Sequence, residues 1–435
     1  MLELLHHEAE NITEYALDIL EKEGCVYNSG NALSLLSYHG CRIEEKTSRV
    51  YIPAQKMKEA LRKFSNNNLP HIKLISGYAH LFLDIIDKKR KQGTIEDIKK
   101  IIVFASQTKN VEVVSTGIEP ENARGDAQKI LACDLLLRYT QKAFLVEPCS
   151  PQCAQSIIDM ASIVSGTSEA LQKNPRIYGI VELDTPFCYS SSNLALLDLY
   201  AKNKQTICLK SSYGYTSSIH PKGLIALQMA EWFAGIFYLS AMEYSCPLCI
   251  QLPFFPFGAK SGYYQCLLDY ISYQCKALSA LEKFLLPTST PIIPTLGLGF
   301  LSGWMLSLQR SALKAFNASY FSDAGKNEPA TFSPLHLLIE DECVSYLNEI
   351  TSCKESIQGF SPDKMFSSSS PSTARLWSSS IFHYEMKDLW RKKKATWQDY
   401  IKEYTINRWN ALKIEPVISS STLGSLDKFL HDSGF

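Results

Sequence analysis

The chain has 435 residues, enough for a large buried core, and its 44 Lys and Arg are balanced by 44 Asp and Glu. Zero net charge without a charged tail excludes the basic footprint of a nucleic-acid binder, and 46% hydrophobic residues is the content of a globular protein. The 13 scattered cysteines and an opening Met1-Leu-Glu-Leu-Leu-His-His-Glu without a secretory pattern predict a cytoplasmic protein with reduced thiols.

Taken in order, residues 3–23 read as an amphipathic helix, with Ile12, Tyr15, Ala16, Ile19 and Leu20 on one face and Gly24 as its stop. A helix over 31–39, a strand over 49–52 and a helix from Pro53 to Phe64 follow. This predicts an N-terminal helical cap, 1–68, closed by the turn cluster Asn66-Asn-Asn-Leu-Pro70. Beyond it, strand-like runs recur at 71–76, 111–116, 143–148, 176–183, 206–211, 246–252, 291–296 and 318–322. Helical patterns at 95–108, 124–141, 151–165, 191–203, 221–243, 262–285, 300–316 and 334–357 alternate with them. Residues 80–87 read as a hairpin arm in the first interval. This rhythm over 69–358 predicts an α/β fold, a (β/α)8 TIM barrel. No G-x-G-x-x-G or G-x-x-x-x-G-K-[ST] run supports the competing open, nucleotide-binding sheet.

Residues 224–242 are long and apolar enough to suggest a membrane span, but Gln228 and Glu231 lie inside them. A buried barrel helix is expected instead, opened by Pro221 in its first turn. The part 359–435 is predicted as a Ser-rich loop over 361–380, then C-terminal helices over 382–393 and 397–412 that pack on the barrel. Trp390, Trp397 and Trp409 serve as anchors there, and the end frays from Ser419.

Several stretches resemble a known family. They are Ala16-Leu-Asp-Ile-Leu-Glu-Lys-Glu-Gly-Cys-Val, then Arg49-Val-Tyr-Ile-Pro53, then Asp159-Met-Ala-Ser-Ile-Val-Ser-Gly with Glu169-Ala-Leu and Pro175. They continue with Gly223-Leu-Ile-Ala-Leu-Gln-Met-Ala-Glu-Trp-Phe-Ala-Gly-Ile and the tail Phe382-His…Leu389-Trp…Trp397-Gln-Asp-Tyr…Arg408. In this order they are similar to the trimethylamine methyltransferase family, the corrinoid-protein-dependent methylamine and quaternary-amine methyltransferases. The resemblance implies a (β/α)8 barrel that binds a methylated amine. It also implies a separate corrinoid protein docked over the barrel mouth, whose cobalt takes the methyl group. No cofactor is then bound directly by this chain, no membrane or nucleic acid is involved, and a homo-oligomer is allowed. Thr290-Pro-Ile-Ile-Pro-Thr-Leu-Gly-Leu-Gly stands where the family usually carries an aspartate. An alternative reading is therefore a catalytically inactive barrel that binds or scaffolds, its mouth filled by Leu296, Leu298 and Phe300.

Barrel active sites lie at the C-terminal ends of the strands. Reading those ends gives Glu182, Asp184 and Asp323 as catalytic candidates. Glu147, Ser211, Tyr213, Tyr215, Phe254 and Phe255 are the substrate-binding candidates, with Thr116, Glu119, Ser212, Gly297 and Ser322 beside them. Aromatic faces with nearby carboxylates suit a methylated ammonium, since the π-face attracts the cation. Methyl transfer asks for alignment of the N–CH3 group rather than acid or base catalysis at its carbon. Glu182 and Asp184 have a plainer reading, capping the next helix or pairing with Lys210. A third reading, zinc at Cys246-Pro-Leu-Cys249 or Cys149 and Cys153, is weakened because i and i+3 on a strand face opposite ways. No resident metal is expected.

Overall fold

The computed structural model describes residues 2–65, 71–86, 89–120, 123–184, 187–211, 221–252, 267–291, 300–328, 330–352 and 397–435. Its centre is a closed ring of eight strands, every neighbouring pair parallel. In chain order they are β1 (Lys73–Ser76), β2 (Val111–Val114), β3 (Ala143–Val146), β4 (Ile177–Leu183), β5 (Thr206–Ser211), β6 (Leu248–Gln251), β7 (Thr288–Pro291) and β8 (Tyr320–Ala324). Helices Ile95–Ser106, Gly125–Tyr139, Pro151–Ser165, Ser191–Lys202, Pro221–Ala241, Leu267–Glu282, Phe300–Ala315 and Pro334–Ser352 follow the strands in turn. The chain is a TIM barrel.

Local chemistry starts several of these helices. Thr94 and Asp97 form a reciprocal capping box, and Ser150 caps a helix with Pro151 in its first turn. Alternation along the strands then sorts side chains. Ile75, Val113, Tyr178, Ile180, Cys208, Cys249 and Tyr320 fill the barrel interior, while their neighbours join the larger core under the helices. Gly77, just past β1, is required by close approach: a Cβ there would lie 2.9 Å from the Asp323 backbone carbonyl carbon.

The seventh strand, described over Thr288–Pro291, begins three residues earlier than the sequence pattern indicates, and 292–296 of the expected run lie outside the described residues. Its Thr-Ser-Thr run is buried: Thr290 Oγ1 donates to the Tyr320 carbonyl at 3.0 Å and Thr288 Oγ1 accepts from the Ser319 amide at 3.4 Å, while the Ser289 hydroxyl, on the mouth cavity, has no partner among the described residues. The Pro291 carbonyl accepts from Tyr270 Oη and Gln274 Nε2, both at 2.9 Å. The apolar Ile292-Ile293 that drew the pattern onward lies outside the described residues.

The N-terminal segment is more than helical. Strands Cys25–Tyr27, Arg49–Tyr51 and Arg42–Glu44 form a small sheet whose edge is Cys188–Tyr189 from the loop after β4. Helices Leu2–Lys22 and Ala54–Phe64 pack on Pro221–Ala241, the membrane-length helix, whose apolar stretch is almost wholly buried in the protein. Tyr27 Oη donates to its Ala234 carbonyl at 2.8 Å, and Tyr189 Oη to its Glu231 carbonyl at 2.8 Å. Gly235 must be glycine, since a Cβ there would meet the Tyr189 hydroxyl at 2.2 Å. Glu8 reaches the helix start through Lys222 at 2.7 Å.

The expected arm at 80–87 is a hairpin of Leu81–Leu83 and Arg90–Lys91, extended by Thr331–Phe332 and Lys326–Glu328 into a four-stranded sheet. Trp409, on helix Trp397–Asn410, stacks on Phe82 with centroids 5.9 Å apart and meets Phe104 edge-on at 5.7 Å. The chain end does not fray at Ser419. That residue caps a final helix, Ser420–Asp432, which packs on Pro151–Ser165 through buried Leu426 and pairs Asp427 with Arg138 at 2.6 Å. The Ser-rich stretch 361–380 and the expected helix 382–393 lie outside the described residues.

Candidate active site

At the C-terminal end of the strands the barrel opens into a cavity of about 200 Å³. Seven of the eight strands contribute residues to it: Ile75 and Ser76 from β1, Leu145 from β3, Tyr178 and Ile180 from β4, Cys208 and Lys210 from β5, Gln251 from β6, Ser289 from β7, Ser322 and Asp323 from β8. Tyr78, Glu147, Leu252 and Lys326 complete the wall just past the strand ends.

Among the described residues, most charged groups of this mouth are paired. Glu182 holds Lys210 at 3.2 Å, and Asp323 holds Lys326 at 2.6 Å. Glu119 takes His80 at 3.3 Å and a hydrogen bond from Tyr78. Lys129 lies over the Tyr78 ring, 5.3 Å from its centroid. Glu147 makes no hydrogen bond or ion pair among the described residues. It faces the cavity from deep inside the mouth, and burial raises its pKa above the ordinary carboxylate value. Lys129, Lys210 and Lys326 oppose that rise from a distance, and Asp323 adds to it.

The sequence candidates separate accordingly. Glu147 and Asp323 line the cavity, and Glu182 stands beside it in its pair with Lys210. Asp184 is exposed past the end of β4, where its Oδ2 accepts from Asn193 Nδ2 at 3.0 Å in the first turn of the next helix. Ser211 is turned away from the mouth by strand alternation, since Cys208 and Lys210 take the inward places on β5. Its hydroxyl donates to Glu231 Oε2 at 2.5 Å, on the helix behind the strand. Glu231 also accepts from the Phe187 amide at 3.0 Å, yet burial pushes its pKa up to about 7. Ser211 therefore serves strand-to-helix packing rather than substrate contact. Tyr213, Tyr215, Phe254 and Phe255 lie outside the described residues, as do Leu296, Leu298 and the Phe300 side chain.

Tyr78, Tyr178, Cys208, Gln251, Ser289 and Lys326 escaped the sequence reading as mouth residues. For Tyr178 and Cys208 the signal was present: each holds an inward position two residues from another barrel-facing one. Cys249 likewise faces the interior, next to Cys208 in register, whereas Cys246 precedes β6 at the other end of the barrel. The Cys149 and Cys153 thiols meet each other near the start of helix Pro151–Ser165. Among the described residues no group of three or more His, Cys, Asp or Glu side chains could hold a metal ion.

Comparison with known proteins accords with this architecture. Residues 1–255 match the family model described as trimethylamine methyltransferase (MTTB). A glycine betaine methyltransferase from Desulfitobacterium hafniense (strain Y51) is 24% identical over 262 residues, covering 56% of this chain and 54% of that protein. The match thus spans about half the length of that relative. Among solved structures, a hydroxylamine complex of MtmB is 9% identical, covers 98% of this chain and 92% of that chain, and superposes with a TM-score of 0.50. The Methanosarcina barkeri monomethylamine methyltransferase (MtmB) is 11% identical, covers 79% of this chain and 81% of that chain, and gives a TM-score of 0.48.

Proposed function

Because the chain belongs to the trimethylamine methyltransferase family, we propose that it binds a methylated ammonium compound in the barrel mouth. There it presents the N–CH3 group for transfer to a corrinoid carried by a partner protein. The observation that carries this reading is Glu147, the mouth carboxylate left without a partner while Glu182 and Asp323 each hold a lysine. A quaternary or tertiary ammonium supplies the missing charge without needing a hydrogen bond. The rings of Tyr78 and Tyr178 line the same cavity and offer π-faces to its methyl groups.

The corrinoid supplies a nucleophilic cobalt when its protein docks over the mouth. This chain's part is to orient. Glu147 holds the nitrogen against the cavity wall, which limits the orientations in which an N–CH3 bond can face the docked partner. Low polarity at the cavity floor, from Ile75, Leu145 and Ile180, strengthens that electrostatic hold. The name of the Desulfitobacterium relative suggests the substrate type: a betaine carries a carboxylate as well as an ammonium. Lys210 and Lys326, on the same wall, suit that carboxylate while keeping their own acidic partners.

A methyl-transfer assay tests the reading. The protein is mixed with a reduced corrinoid protein and glycine betaine, trimethylamine or other methylated ammonium compounds, following the corrinoid's visible absorption. Substrate-dependent transfer is expected. Glu147→Gln should lower kcat/KM by roughly 10- to 100-fold, the loss of one charge contact in a partly screened site. Ser211→Ala should stay within about threefold, because that hydroxyl faces the helix. Absence of transfer with every compound, in a mixture where a related active enzyme works, would leave the non-catalytic reading standing.

A further inference from the structure

The opposite end of the barrel, where the strands begin, holds a second and larger cavity of about 830 Å³. Its rim carries Lys63 at the end of helix Ala54–Phe64, Lys173 at the end of helix Ser168–Lys173, and Lys204 after helix Ser191–Lys202. None of the three makes an ion pair among the described residues. Glu243 is the acidic residue of the rim and Glu112 that of the interior. The floor is polar. Tyr320 Oη donates to Glu112 Oε1 at 3.1 Å, leaving the carboxylate's other oxygen to accept. Beside it, the Tyr178 ring meets Tyr320 edge-on with centroids 6.0 Å apart. Tyr178 is only 3% exposed, and its buried hydroxyl has no nitrogen or oxygen partner among the described residues, meeting the Cys249 thiol instead. A thiol is a weak hydrogen-bond partner, which leaves this hydroxyl able to take a better one. Prolines 175, 247 and 287 give the walls between rim and floor an apolar lining.

We propose that this cavity is a binding site for a small organic anion, a carboxylate or phosphate that also bears a hydroxyl or amino group. The acid group meets the lysine rim, the carbon skeleton lies between the prolines, and the hydroxyl or amino group reaches Glu112 and Tyr178. This end of a barrel ordinarily serves stability, and the catalytic chemistry gathers at the other. The site is therefore separate from the mouth, and its existence does not depend on methyl transfer. Tyr178 lines both cavities, so a bound anion shares one ring with the mouth.

Isothermal titration of the full chain with 3-hydroxybutyrate, 4-aminobutyrate, glycerol 3-phosphate and inorganic phosphate tests the proposal. One or more of the three organic probes should bind with one-to-one stoichiometry. That affinity should fall at least tenfold in Lys63→Ala/Lys173→Ala, whose exposed positions leave folding untouched, and at least threefold in Tyr178→Phe. Lys210→Met, at the mouth, should leave it unchanged. Tighter binding of glycerol 3-phosphate than of the carboxylates assigns a phosphate, and the reverse order a carboxylate. The proposal is overturned if no organic probe binds, if the lysine variant binds equally well, or if inorganic phosphate binds as tightly as every organic probe.

Discussion

Arg310 and Glu340 form an ion pair in the core, Nη2 to Oε1 at 3.0 Å, with side chains 1% and 3% exposed. Glu340 Oε2 also accepts from the Gly325 amide at 2.8 Å, which ties the turn after β8, and with it Asp323 and Lys326, to helix Pro334–Ser352. Glu340→Gln keeps an acceptor for Gly325 but leaves the Arg310 guanidinium buried without a counter-charge. Its Nε and Nη1 already have no hydrogen-bond partner among the described residues. Breaking one side of such a pair costs about 3–5 kcal/mol. With ~2.1 cal/mol/K per residue, the whole chain unfolds with an entropy of ~0.9 kcal/mol/K, so the loss corresponds to roughly 3–5 °C in Tm. Arg310→Met should cost a similar amount, through the stranded carboxylate. The double variant should recover most of it, with a coupling energy of at least about 2 kcal/mol. Burial raises the Glu340 pKa from 4.5 to about 7, with Arg310 opposing. Without Arg310 the carboxyl takes up a proton more readily still, so Arg310→Met should cost less at acidic pH than at pH 8. Denaturant titrations of the four proteins at both pH values measure the cycle. Strictly additive single effects, or single losses below about 1 kcal/mol, would refute the argument that the pair's partners depend on each other.

The remaining predictions follow from burial and alternation. Glu231 has a folded pKa raised from 4.5 to about 7, so the folded state keeps a proton that the unfolded chain has lost between those values. Its contribution to stability falls as pH rises through that window. Glu231→Gln should flatten that part of the stability–pH curve, and an unchanged slope would count against the assignment. Glu147→Gln, besides weakening methyl transfer, should hold or raise Tm at pH 7, because it removes a desolvated charge that has no partner. Thermal unfolding beside the transfer assay separates this from general damage. Trp409→Ala should cost about 3–5 kcal/mol by opening a cavity against Phe82 and Phe104, read as a fall in the urea midpoint.

The alternation of apolar runs and helical periods was enough to determine the barrel, because both signals are local: period two for strands, 3.6 for helices, and Thr, Ser or Pro at the helix starts. The helix behind β5 was legible for the same reason, its Gln228 and Glu231 marking it as buried in protein rather than in lipid. Where polar residues form a strand, as at Thr288–Pro291, local pattern misleads. The closed ring brings the Tyr320 carbonyl to the Thr290 hydroxyl and the Ser319 amide to that of Thr288. The site lay further from the sequence. Strand ends pointed to Glu147 and Asp323, which line the cavity, and to Glu182 beside it, but also to Ser211, whose direction depends on strand register. That Glu147 alone of these carboxylates stands free was decided only in three dimensions. The Asp323–Lys326 pair is local, three residues apart, and Glu182 meets Lys210 across the register of two consecutive strands, whereas the surroundings of Glu147 are set by residues from several strands.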